Sequence, residues 1–141
     1  MKKRVLLFGT FDGLHPGHLF FIEQAAALGE ELIVVVARDA SVLKHKGRLP
    51  DFGEEERLAR VSEVSGVAEA VLGDQTEGRF EVVQHHMPRL IVVGYDQLSL
   101  AEYLRHVMKE GILPEIEIVT ISALDPHLYK TSLLRKSSLG G

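Results

Sequence analysis

Leu32-Ile33-Val34-Val35-Val36-Ala37 is apolar without interruption and mostly β-branched. A strand with one wet face alternates polar and apolar residues. This one does not, so it predicts a parallel strand covered by helices on both sides. Val5–Gly9 and Leu90–Val93 read as buried strands too, Ala68–Leu72 as a short strand and Ile116–Ile121 as the last. Between them the spacing turns helical. Pro16 to about Leu28 predicts a helix, with Pro16 in the first turn, where a missing N–H costs nothing, and Gly29 as its C-cap. Arg38 to Gly53 reads as a loop. Glu54–Val64 predicts a helix behind three glutamates that suit the positive end of its dipole. Arg79–His86 is a short helix ended by Pro88, and Leu98–Lys109 a longer one stopped by Gly111 and Pro114. Thr131–Lys136 reads as a final helix before a loose tail from about residue 137. Strands alternating with helices predict an α/β fold, a doubly wound parallel sheet of about five strands in a single domain over residues 1–141.

In such sheets ligands bind beyond the C-terminal strand ends, near the point where strand order reverses. Gly9–Asp12, Arg38–Asp39 and Gly94–Asp96 each follow a predicted strand end, so three polar turns should converge on one crevice. The formal charge of −4, from 16 basic and 20 acidic residues, disfavours a broad nucleic-acid surface. The absence of cysteine excludes disulfides and thiolate metal sites. No apolar run approaches the roughly 20 residues needed to cross a bilayer. The basic Met1-Lys2-Lys3-Arg4 leads into a core strand rather than a signal peptide. The expectation is a cytoplasmic protein with small-molecule ligands and neither nucleic-acid nor membrane partners.

Gly9-Thr10-Phe11-Asp12-Gly13-Leu14-His15-Pro16-Gly17-His18 joins the first strand to the first helix. Two histidines three residues apart at a helix start can turn both rings to one point, at the positive end of the dipole. Those imidazoles, with the backbone N–H groups near Thr10 and Phe11, would steady charge growing on a phosphate. Phosphoryl and nucleotidyl transfer rests on such positioning and charge stabilisation, and needs no protein nucleophile if a substrate oxygen attacks.

Gly9-Thr10-Phe11-Asp12 followed by His15-Pro16-Gly17-His18 resembles the signature of the cytidylyltransferase-like nucleotidyltransferase superfamily, and the resemblance extends over nearly the whole chain. It implies a Rossmann-like fold. It also implies transfer of a nucleoside monophosphate from a nucleoside triphosphate to a phosphorylated acceptor, with release of pyrophosphate. Mg2+ would accompany the triphosphate, and no metal site of the protein's own is visible. His15, His18 and Lys46 are the catalytic candidates this implies. Lys44 and Lys46 match the family's basic loop, which neutralises the leaving phosphates. Arg57 matches an arginine that reaches the triphosphate. Gly9, Thr10, Phe11, Gly94 and Asp96 would bind nucleotide, and Thr131 and Ser132 match hydroxyls at the start of the last helix. Each also has a plainer reading: a solvated loop for the lysines, an exposed ion pair for Arg57, ordinary caps for Asp96, Thr131 and Ser132. Relatives are commonly dimers, so a homodimer is expected by analogy.

Within the superfamily, Gly94-Tyr95-Asp96-Gln97 and the later Leu113-Pro114-Glu115-Ile116 look most like the archaeal-type FAD synthetases, which adenylate FMN with ATP. Phe11, Phe52, Tyr95 and Tyr129 would then be walls for the flavin ring. CTP-dependent transfer to glycerol-3-phosphate, or to another polyol or sugar phosphate, is the alternative. Those enzymes share Gly-x-Asp, but their Arg-Thr-x-Gly gives way here to Ala123-Leu124-Asp125-Pro126-His127. A non-catalytic nucleotide- or flavin-binding module is a third reading, against which the presence of both histidines counts. Asp12 either orders the phosphate turn or sits near magnesium. His85-His86 reads as a helix end.

Overall fold

Side chains along each strand alternate between two hydrophobic layers, and that alternation sets the architecture. The protein is seen here in a computed structural model that describes residues 2–121. The elements run β1 (Arg4–Gly9), α1 (Pro16–Ala26), β2 (Glu31–Val36), α2 (Asp39–Lys46), α3 (Glu54–Ser62), β3 (Glu69–Leu72), α4 (Glu81–His86), β4 (Leu90–Gly94), α5 (Leu98–Lys109) and β5 (Glu117–Ile121). The five strands form one parallel sheet in the order β3-β2-β1-β4-β5. The expected Thr131–Lys136 helix and the tail lie outside the described residues. No described helix is long and apolar enough to cross a membrane.

Val5, Leu7, Leu32, Val34, Val36, Leu90 and Val92 enter a first layer, closed by Ile22 and Ala25 of α1 and Val61 of α3. Leu6, Ile33, Val35, Ile91 and Val93 enter a second, closed by Val83 of α4 and Ala101, Leu104 and Val107 of α5. In register, Leu6 sits beside Ile33 on one side and Ile91 on the other. Burying each such side chain stabilises the fold by about 1.5–3 kcal/mol. The chain winds outward from β1 to β3, then crosses to β4 on the other side of β1. The reversal between β1 and β4 leaves the connecting turns apart and opens a crevice above their C-terminal ends.

Two local expectations change. Arg38–Gly53 is not loop throughout, because Asp39–Lys46 form α2. Val42 is its buried residue, so no apolar stripe announces this helix in the sequence. It ends at Gly47, whose φ of 79° is left-handed and suits a residue without Cβ. Gly29 is not a C-cap. Helix α1 stops at Ala26, with Ala27 right-handed at the cap. Gly29 is instead a point of close approach, where a Cβ would lie 2.5 Å from Val5 Cγ2 and 2.8 Å from the Lys3 carbonyl oxygen.

Candidate active site

The turns after β1, β2, β3 and β4 line one cleft of about 930 Å³ at the C-terminal edge of the sheet. The turn after β1 is built around Phe11. Its ring is buried and folds back over Gly9, where a Cβ would sit 2.6 Å from ring carbons. Only glycine fits there. Phe11 itself takes φ 54°, a left-handed value uncommon for an aromatic residue.

His15 is the extended N-cap residue of α1, Pro16 opens the helix, and His18 lies in its first turn. The His18 N–H donates to the His15 carbonyl at 2.9 Å. The two imidazoles stack with centroids 3.8 Å apart and planes 19° from parallel, and Phe11 sets its ring against His18 at 5.5 Å and 74°. Both histidines line the cleft. Burial lowers the His18 pKa from 6.5 to about 4; His15 and Lys46 push the same way and Asp12 opposes them. The ring is therefore neutral near pH 7. Its Nδ1 is buried with no hydrogen-bond partner among the described residues, a cost that native proteins tolerate chiefly where a site has work to do.

Behind this turn lies a network that fixes it. Both Asp12 carboxylate oxygens accept backbone N–H bonds, from Asp51 at 2.8 Å and Phe52 at 3.0 Å. Burial raises the Asp12 pKa, but these two donors, with Arg57 and Arg48, outweigh it and hold the carboxyl below its usual value. Asp12 thus ties the turn after β1 to the segment before α3. Arg57 is fully buried. Its guanidinium donates to the Phe52 carbonyl at 2.8 Å, the Thr10 carbonyl at 2.9 Å and Asp39 Oδ1 at 2.7 Å. It is neither an exposed helix residue nor part of the cleft lining. With its fork engaged, it holds Thr10 in place from behind. Asp39 and Glu54 exchange N–H···O bonds across the starts of α2 and α3, at 2.7 and 3.3 Å.

The basic residues sit on α2 and face the cleft. Glu77, in the turn after β3, accepts from Ser41 at 2.6 Å and Lys44 at 3.1 Å, and lies 2.9 Å from the His45 ring nitrogen. The Ser41 hydroxyl chiefly, then Lys44 and His45, outweigh burial and lower its pKa to about 2. Lys44 is therefore paired, whereas Lys46 makes no ion pair among the described residues. Arg38 is drawn aside to the Gly73 carbonyl at 2.6 Å.

Gly94, Tyr95 and Asp96 line the far side of the cleft. Gln97 braces the switch point itself: its Oε1 accepts from Gly94 N–H at 2.7 Å and its Nε2 donates to the Phe8 carbonyl at 3.1 Å. Of the expected flavin walls, Tyr95 and Phe11 line the cleft. Phe11 is buried against Gly9 and His18, and Phe52 packs under Arg60 at 4.3 Å, outside the cleft lining. Thr131, Ser132 and Tyr129 lie outside the described residues. Sequence reasoning missed Glu77, whose partners are too distant in the chain to signal it. It also missed the brace at Gln97, for which the Gly-x-Asp-Gln string was the available sign. His86 Nδ1 is bonded to the Val82 carbonyl at 3.0 Å, within the helix that it ends.

Comparison with known proteins agrees with this geometry. The family model described as cytidylyltransferase-like matches residues 6–137. A protein named FAD synthase from Methanosarcina barkeri is 46% identical over 79% of this chain and 78% of its own. Another FAD synthase, from Methanothrix thermoacetophila, is 46% identical over 87% and 83%. Among solved structures, one described as a lipopolysaccharide core biosynthesis protein from Thermoplasma volcanium superposes with a TM-score of 0.78 at 39% identity, covering 89% of this chain and all of that one. The histidine pair on its braced turn and the match along almost the full length together establish that the chain belongs to the cytidylyltransferase-like family.

Proposed function

We propose that the protein transfers AMP from ATP to FMN, forming FAD and releasing pyrophosphate. The observation that carries this reading is the stacked His15–His18 pair at the start of α1, on the wall of a cleft large enough for two substrates. Its relatives named FAD synthase support the choice of acceptor.

An FMN phosphate oxygen attacks the α-phosphorus of ATP. A new P–O bond forms, the α–β anhydride bond breaks, and the electron pair leaves with pyrophosphate. His15 and His18 donate hydrogen bonds to the equatorial oxygens, whose charge is greatest in the transition state. Backbone N–H groups at Thr10 and Phe11 add to them. Lys46, with Lys44 once released from Glu77, offsets charge on the leaving phosphates. Gly9, Gly94 and Asp96 shape the nucleotide subsite, to which the family resemblance adds the hydroxyls of Thr131 and Ser132. Arg57 acts through Thr10 rather than on the phosphates.

A divalent metal, Mg2+ in this reading, arrives with the triphosphate and screens its charge. Both Asp12 oxygens already accept backbone N–H bonds, so in this reading Asp12 orders the turn rather than holding the metal. The same reading includes a cytoplasmic homodimer, which sedimentation equilibrium would report as twice the chain mass.

The test is pyrophosphate release across ATP and CTP, each with FMN, glycerol-3-phosphate or a sugar phosphate, with the product resolved by chromatography. FAD from ATP and FMN alone is the expected result. Turnover only with CTP and a polyol phosphate would replace the acceptor. Tight nucleotide binding without any turnover would make the chain a binding module.

A further inference from the structure

The second hydrophobic layer is not sealed where it meets the cleft. Val35 and Val83 are buried in that layer and also line the cleft, as do Phe8, Phe80 and Leu100 packed against it. Tyr103 completes this arm from α5. Its ring meets Phe80 with centroids 5.6 Å apart and planes at 48°, and its hydroxyl lies 3.5 Å from where a Cβ on Gly78 would be. Phe80 caps α4 at φ 52°, ψ 42°, a left-handed conformation disfavoured for an aromatic residue. The start of α4 is fixed by Asp74, whose carboxylate accepts from the N–H groups of Glu81 and Val82 at 2.7 and 2.9 Å. A strained backbone pinned in this way sets an aromatic ring on the wall of an open apolar arm.

We propose that this arm, between α4 and α5, takes the flat tricyclic ring of FMN, with Phe80 and Tyr103 as its aromatic wall. The proposal rests on the FMN reading above and names the subsite that selects the acceptor. FMN has a broad apolar ring at one end and a phosphate at the other. The cleft lining offers both chemistries: imidazoles and lysines from α1 and α2, aliphatic and aromatic carbon from the α4 and α5 side. The dimethylbenzene edge of a flavin suits walls of valine, leucine and phenylalanine. The edge of adenine carries donors and acceptors, and is better met by the polar turn at Gly94–Asp96. Phe52 lies outside the cleft lining and takes no part in this wall.

The test uses the whole chain with Tyr103→Ala, Leu100→Ala and the control Tyr103→Phe, all checked for unchanged thermal midpoints. Tyr103 is half exposed, so its loss should leave the fold intact. Flavin fluorescence is titrated with FMN and with riboflavin, with and without a non-hydrolysable ATP analogue. Steady-state rates are measured against both substrates. Binding should quench the fluorescence. Tyr103→Ala should weaken FMN and riboflavin binding and raise the KM for FMN by about tenfold, with KM for ATP unchanged and Tyr103→Phe close to the parent. Riboflavin, which has the ring but no phosphate, should compete with FMN and not with ATP. A rise in KM for ATP instead would assign the arm to adenine and overturn the proposal. So would FAD formation with both KM values unmoved by Tyr103→Ala and Leu100→Ala. If no FAD forms but flavin quenching persists and falls in Tyr103→Ala, the subsite stands and the reaction assigned above falls.

Discussion

The two sides of the sheet end differently at the cleft. On the α1–α3 side the turn over the first layer is braced: Phe11, itself part of the cleft lining, closes over Gly9, His18 packs on Phe11, and Asp12 and Arg57 lock the turn from behind. On the α4–α5 side the second layer stays open, and its uppermost side chains form part of the cleft wall. Charge stabilisation depends steeply on geometry, so the groups that meet a reacting phosphate must be held before substrate arrives. Contact with a flat ring is far less directional and needs only shape and carbon. The rigid side is accordingly suited to chemistry and the open side to recognition.

His18→Ala tests the first half of that division most directly. The maximal rate should fall by about 10²–10⁴, while nucleotide affinity measured by calorimetry changes little. Equal losses in rate and affinity would remove His18 from the transition state. Arg57→Met should cost about 3–5 kcal/mol in urea unfolding, because Asp39 and two carbonyls lose their buried partner. If Arg57 instead reached the triphosphate in solution, that substitution would raise the KM for ATP with little loss of stability. Lys46→Ala should raise the KM for ATP by about tenfold, and Lys44→Ala by less, since Lys44 is already held by Glu77. The reverse order would mean that the Glu77 pair opens fully when nucleotide binds.

A pH dependence of stability is expected as well. The His18 pKa is lowered from 6.5 to about 4 in the folded protein. Between those values the unfolded chain binds the extra proton, so stability declines as pH falls through that window and the penalty is complete below it. Above pH 6.5 the group contributes nothing. Urea midpoints from pH 4 to 7 should therefore flatten in His18→Gln, and an unchanged slope would place the titration elsewhere.

Much of the fold was readable because its signals are local. The β-branched run in β2, Pro16 at the start of α1 and the glutamates before α3 each act within a few residues. Helix α2 was not readable, since Val42 alone is buried and no stripe marks it. The histidine pair could be placed from the sequence, as spacing and helix start bring the rings together. Arg57 could not. Its charge suggested a phosphate ligand or a surface pair, and only its partners reveal a buried clamp. The same holds for Asp12, whose two readings the backbone donors of Asp51 and Phe52 separate.

The sequence alone determined the order of the strands and of the helices other than α2, the burial of β2 on both faces and the meeting of the two imidazoles, because these follow from periodicity and from neighbours one helical turn apart. Tertiary structure decided what Asp12, Arg57, Glu77 and Tyr103 do. The partners of the first three lie between 5 and 47 residues away along the chain, mostly at the far end of that range. Whether a charge meets a ligand or another side chain, and whether a core closes or stays open, depends on groups that only folding brings together.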